Sequence, residues 1–121
     1  MKKLLAALVI FISTNVNANN CENGFVRLTF DDGPNPVHTL NVLDILQKYN
    51  SRATFFVIGQ NVIRYPEVVK RIAIDGHRIG NHSWDHAHLT KLTYGEIQAQ
   101  FKNTNDEIKK ITGFNAVEWR P

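Results

Sequence analysis

The sequence predicts an α/β fold with a parallel sheet, and three observations carry that expectation. Short strand-length apolar runs alternate with stretches of helical period from Phe25 onward. Glycine and proline punctuate the junctions. The polar clusters follow the ends of strand-like runs, where parallel α/β folds gather their functional groups.

The elements follow in order. Phe25 to Phe30 (FVRLTF) is β-branched and aromatic and stops at Asp-Asp-Gly-Pro, which predicts a strand and then a loop. Val37 to Tyr49 places Leu40, Leu43 and Leu46 or Ile45 on one helical face. Ala53 to Ile58 is an apolar run of strand length that ends at Gly59. Val62 to Asp75 has a helical pattern, with Pro66 either opening the main helix or kinking it and Gly76 ending it. Arg78 to Gly80 predicts a third short strand.

Thr93 to Ile111 predicts a long amphipathic helix with Ile97, Phe101, Ile108 and Ile111 inward. Thr93 is its N-cap, Glu96 completes a capping box, and Gly113 closes it. Ala116 to Trp119 opens a fourth strand. With right-handed crossovers this order gives a parallel sheet or the first half of a (β/α) barrel. A whole barrel takes about 250 residues. Residues 19–121 are therefore expected to be the N-terminal part of a longer domain, with apolar edges left uncovered.

Met1 to Ala18 has a different character. Lys2 and Lys3 precede the apolar run Leu4 to Ile12, and polar residues lead to Val16-Asn17-Ala18, the layout of a secretory signal peptide. That run is too short for a bilayer core, which needs about 20 residues, so export without a stable membrane anchor is expected. Without the two leader lysines, 12 of the 14 basic residues remain against 11 acidic ones. No basic cluster is left to bind nucleic acid. Cys21 is the only cysteine, which rules out a disulfide within the chain.

Three polar groups share the rim that the topology predicts. Asp31 and Asp32 are adjacent carboxylates, which repel unless a cation or donor relieves them. In an extended segment they point opposite ways, so that one could bind a metal while the other faces a water; an Asp-rich turn is the plain alternative. His82 and His86 lie at i and i+4 and share a face if helical. With a carboxylate they would form a three-ligand set open to water, the alternative being a surface pair. Arg120 could hold a carboxylate at the end of the fourth strand. His77 and His88 read as structural, and Trp84 as either a cover for the loop or a surface that stacks on a sugar.

Taken together, TFDDGP (29–34), HSWDH (82–86) and WRP (119–121), with ATFFVIG at the second strand, resemble the polysaccharide deacetylases of carbohydrate esterase family 4 and their NodB homology domain. The resemblance implies a distorted (β/α)7 barrel, of which about the first half is present. It implies Asp31 as general base, oriented by Arg120. It implies Asp32, His82 and His86 as ligands of a divalent metal, with zinc the expected ion, and Ser83 as support for the loop. The activity implied is removal of acetyl groups from an N- or O-acetylated polysaccharide such as chitin oligosaccharides or peptidoglycan. The family's later motifs, including the general-acid histidine and the rest of the oxyanion segment, have no counterpart in these 121 residues. The chain alone is therefore expected to be inactive, and a non-catalytic carbohydrate-binding module is the alternative.

Overall fold

The structure, a computed structural model, describes residues 26–121. The signal-peptide expectation for residues 1–18 and Cys21 lie outside the described residues. Strands β1 (Leu28–Gly33), β2 (Ala53–Val57) and β3 (Arg78–Asn81) form a parallel sheet in the order β1-β2-β3. Between them come α1 (His38–Lys48), then α2 (Gly59–Arg64) and α3 (Pro66–Ile74); after β3 come a single 3-10 turn at Leu89–Lys91 and α4 (Tyr94–Thr112). No helix among the described residues is long and apolar enough to cross a membrane.

The core forms where the apolar face of each helix meets the sheet. Leu43 and Leu46 of α1, Val68, Val69 and Ile72 of α3 and Ile108 of α4 are buried with Phe55, Val57 and Ile79 of the strands. Ile45, an alternative to Leu46 on periodicity, is exposed instead. In α4 the capping box is complete: Thr93 accepts from the Glu96 amide, and Glu96 accepts from the Thr93 amide. Gly113 ends this helix at φ 85°, a left-handed position that glycine occupies without steric cost.

Four boundaries differ from expectation. The first strand does not stop at Phe30 but runs through Asp31 and Asp32 to Gly33. From Phe30 to Gly33 it takes three steps while β2 takes two, from Phe55 to Val57; the extra residue is a bulge, and Asp32 sits in it at φ 66°. The expected helix from Val62 to Asp75 is two helices, because Tyr65 leaves helical geometry and Pro66 restarts the chain as the first residue of α3. Gly59 opens α2 rather than merely ending a strand. The fourth strand is a single parallel bridge between Asn81 and Trp119.

Candidate metal centre

At the C-terminal end of the sheet the bulge settles where the two aspartates go. Asp31 turns to Arg120, whose Nη1 donates to both carboxylate oxygens at 2.8 and 2.9 Å and reaches Thr29 Oγ1 at 3.3 Å. One nitrogen is thus shared between two oxygens. The Arg120 guanidinium also lies over the Phe56 ring, 4.2 Å from its centroid. Asp32 turns the other way: its Oδ1 is 3.3 Å from His82 Nε2 and 3.7 Å from His86 Nε2.

The two histidines meet across a loop rather than along a helix. Residues 82–86 form no helix; Ser83 and His86 stand at φ 64° and 59°, and the loop doubles back on itself. The rings lie edge to face with centroids 4.8 Å apart. His82 is buried and His86 exposed, so the group has one walled side and one open side.

Backbone geometry of this kind persists only where several contacts hold it. Ser83 Oγ accepts from the His86 amide at 3.1 Å, and the Ser83 amide donates to Asn81 Oδ1 at 2.9 Å. The N-terminus of α2 supplies more. No side chain caps it, yet its first two amides are satisfied: Gly59 donates to the Ser83 carbonyl and Gln60 to the Trp84 carbonyl, each at 3.0 Å. From the same helix Asn61 Nδ2 donates to the Asp32 carbonyl at 3.0 Å. One short helix thus ties both ligand-bearing segments together.

The donor set fits a divalent cation. His82 Nδ1 lies 2.7 Å from the Arg120 carbonyl oxygen, which can only accept, so that nitrogen carries the hydrogen. In the neutral form that ligates a metal, the ring would face the Asp32 carboxylate with its Nε2 lone pair, two acceptors that a cation would bridge. Metal bonds of about 2.0–2.2 Å in tetrahedral geometry place ligand atoms roughly 3.3–3.6 Å apart. Asp32, His82 and His86 each offer one ligand atom, and the three atoms lie within 4.8 Å of one another.

The other candidates fall elsewhere. Trp84 is half-buried with its ring beside Gly59, so that it covers part of the loop. His77 is buried near the opposite end of β3, where its Nδ1 accepts from the Ala53 amide at 3.3 Å. Burial holds its pKa below the ordinary imidazole value, and the charge of Arg52 adds to this. His88 is exposed in the loop after the site. A cleft of about 300 Å³ opens beside Asp31 and Asp32 and is lined also by Asn35 and His38. A larger cavity of about 780 Å³, between α4 and Trp119, is lined by none of these carboxylates or imidazoles.

Sequence reasoning passed over Asn81 and Gln100. Asn81 is buried at the end of β3, and its Nδ2 donates to the Phe101 carbonyl and to Asn105 Oδ1 of α4 at 2.8 and 2.9 Å. Gln100 Oε1 accepts from the Trp84 amide at 2.7 Å. The signal for both was a polar residue where the pattern calls for an apolar one. Gln100 lies between Ile97 and Thr104 on the inward stripe of α4.

Comparison with known proteins gives the same direction as the geometry. The family model described as "Polysaccharide deacetylase" matches residues 18–121. The chain is 48% identical over 96 residues to the peptidoglycan-N-acetylmuramic acid deacetylase PdaC of Bacillus subtilis, covering 79% of this chain and 21% of that protein. A solved structure of PdaC superposes with a TM-score of 0.78, over 78% of this chain and 47% of that one. The peptidoglycan-N-acetylglucosamine deacetylase PgdA of Listeria monocytogenes is 44% identical over 99 residues, 82% of this chain and 21% of its own length. A family 4 acetyl xylan esterase from Clostridium thermocellum, solved with a cobalt ion, is 42% identical with a TM-score of 0.75, over 78% of this chain and 47% of that one. The chain spans about a fifth of the length of the curated relatives and just under half of these solved chains.

Proposed function

Because the chain belongs to the polysaccharide deacetylase family, we propose that the protein carrying it is a metal-dependent hydrolase that removes acetyl groups from an exported or environmental glycan, with Asp32, His82 and His86 as metal ligands and Asp31 as base. The observation that carries this reading is the division of two adjacent carboxylates between two addresses. Asp32 faces a pair of imidazoles while Asp31, one residue away, is held by Arg120.

A divalent cation held by those three residues, zinc by preference, supplies Lewis acidity: it polarises an acyl oxygen and makes a water more acidic. The protein's own groups do the rest of the work described here. The Arg120 carbonyl fixes the His82 tautomer so that Nε2 points inward. Asp31, clamped by the guanidinium, takes the proton from a water as it attacks the acetyl carbon. The bond from that carbon to the sugar nitrogen then breaks, giving acetate and a free amine once the nitrogen gains a proton. The donor of that proton, and the amide that would support the oxyanion, are assigned to residues outside 26–121. The 121-residue chain alone is therefore proposed to be inactive, as the first part of a (β/α) barrel with three strands described.

N-acetylated cell-wall glycan is the preferred substrate, because PdaC and PgdA, the relatives named above, are peptidoglycan deacetylases. The leader-like residues 1–18 support export to where such glycan lies. The test is acetate release by the intact, zinc-loaded protein from peptidoglycan, chitin oligomers and acetylxylan. Release from peptidoglycan above the other two is expected. Binding to these glycans without release from any of them would mean a non-catalytic module.

A further inference from the structure

Residues Trp84 and Asp85, which lead into His86, are held from outside their own loop. The Gln100 side chain of α4 bridges to them with three contacts: its Oε1 accepts from the Trp84 amide at 2.7 Å and the Asp85 amide at 3.3 Å, and its Nε2 donates to Asp85 Oδ1 at 2.8 Å. We propose that Gln100 is a positioning residue for the metal centre, the group that sets where His86 stands relative to Asp32 and His82. This inference rests on the metal reading given above and goes beyond it, since Gln100 lies outside the motifs that carried the family resemblance.

The geometry is suited to the task. Of the two imidazoles, His82 continues directly from β3 and needs no further support: its amide donates to the Val57 carbonyl at 3.0 Å, and its Nδ1 is fixed by Arg120. His86 is exposed, sits at φ 59°, and has only Ser83 Oγ on its own amide. Its position is therefore inherited from residues 83–85. Two of those, Trp84 and Asp85, give their amides to one oxygen, that of Gln100.

The base from which Gln100 reaches is rigid. Its carbonyl accepts from Thr104 Oγ1 at 2.9 Å, and the next residue's carbonyl accepts from the buried Asn81 side chain at 2.8 Å. That asparagine also receives the Ser83 amide. α4 is thus locked to the end of β3 at one point and to the loop at another, like a bracket with two arms.

Partner exchange separates positioning from mere packing. In Gln100→Ala both arms of the bridge are lost. In Gln100→Glu the oxygen that accepts the two amides remains, but a carboxylate is set against Asp85. Adding Asp85→Asn turns that clash back into an amide-carboxylate pair with donor and acceptor exchanged. The measurement is zinc affinity of the intact, metal-stripped protein by calorimetric titration, with thermal melts of the metal-free forms alongside.

Gln100→Ala is expected to weaken zinc about 10-fold or more, in the range typical of groups that orient a metal ligand. Gln100→Glu should weaken it too, and Gln100→Glu/Asp85→Asn should recover most of the loss while the metal-free melts of those two variants stay close. Zinc affinity in Gln100→Ala equal to wild type would overturn the proposal. So would a double variant no better than Gln100→Glu, the result that also decides the matter if Gln100→Ala fails to fold. A wild-type protein that takes up no zinc or cobalt at all would instead remove the metal reading, and this inference with it.

Discussion

The carbonyl oxygen of Arg120 meets Nδ1 of His82 at 2.7 Å, while the guanidinium of that same arginine grips Asp31. A backbone atom and a side chain of one residue thus serve the two halves of the centre separately. Substitution can therefore part them. Arg120→Met leaves the carbonyl in place but removes every hydrogen bond from this side chain to the Asp31 oxygens. The intact protein should keep its zinc and lose about 100-fold in kcat/KM, the scale of a reacting group misplaced by about 1 Å. Metal analysis and acetate release check this together, and a variant that lost its metal would contradict the separation.

The two aspartates should behave differently although they are neighbours. Asp31→Asn is expected to retain metal and lose about 10²–10⁴ in kcat, the usual contribution of a general base. The His82→Ala/His86→Ala double variant is expected to lose stoichiometric zinc. Equal zinc in that variant and wild type would sink the ligand assignment. Metal loss in Asp31→Asn, with retention in Asp32→Asn, would require the roles to be exchanged.

Gly59 is confined by the loop it supports. A Cβ built there would stand 2.4 Å from Trp84 Cε3 and 2.5 Å from Thr104 Oγ1, with a helix behind it. Gly59→Ala must push Trp84 outward, at about 1–3 kcal/mol for overpacking of this kind. A lower melting temperature and weaker zinc binding should appear together. An unchanged melt would show that the tryptophan has somewhere to go.

His77 predicts a pH dependence apart from the metal site. Its pKa in the folded chain lies below the ordinary 6.5, first because it is buried and second because of Arg52. Its contribution to stability is complete above that ordinary value and is lost as pH falls through the folded value, since the unfolded chain takes up the proton first. Its Nε2 is the one buried side-chain nitrogen or oxygen without a hydrogen-bond partner among the described residues. His77→Asn preserves an acceptor for the Ala53 amide and removes the titration. With metal chelated, wild type should lose stability below about pH 6.5 by an increment that the variant lacks. Parallel curves would rule His77 out as the source.

Sequence periodicity reached the α/β class because that class depends on short-range pattern. The apolar stripes of α1, α3 and α4 had to face a sheet, and the ends of parallel strands had to share a rim. It was misled where tertiary contacts override local preference. Aspartates are poor strand residues, so β1 was expected to end at Phe30, yet it continues through Asp31 and Asp32 in a bulge. The i, i+4 spacing would bring the histidines together on a helix, whereas the loop brings them together with left-handed backbone at Ser83 and His86. Such geometry is written in contacts with the adjacent Asn81 and with α2 and α4, which lie outside the motif.

The bulge in β1 also bears on whether this chemistry could be carried to another scaffold. In a regular strand, consecutive side chains leave through opposite faces of the sheet, so an Asp-Asp pair grafted there would send one carboxylate beneath the helices. The extra residue between Phe30 and Gly33 lets both reach the same rim at different bearings. What must be transplanted is therefore an irregularity in strand pairing, with the left-handed residue that accommodates it. A copy of the two aspartates alone would bring the charges without their directions.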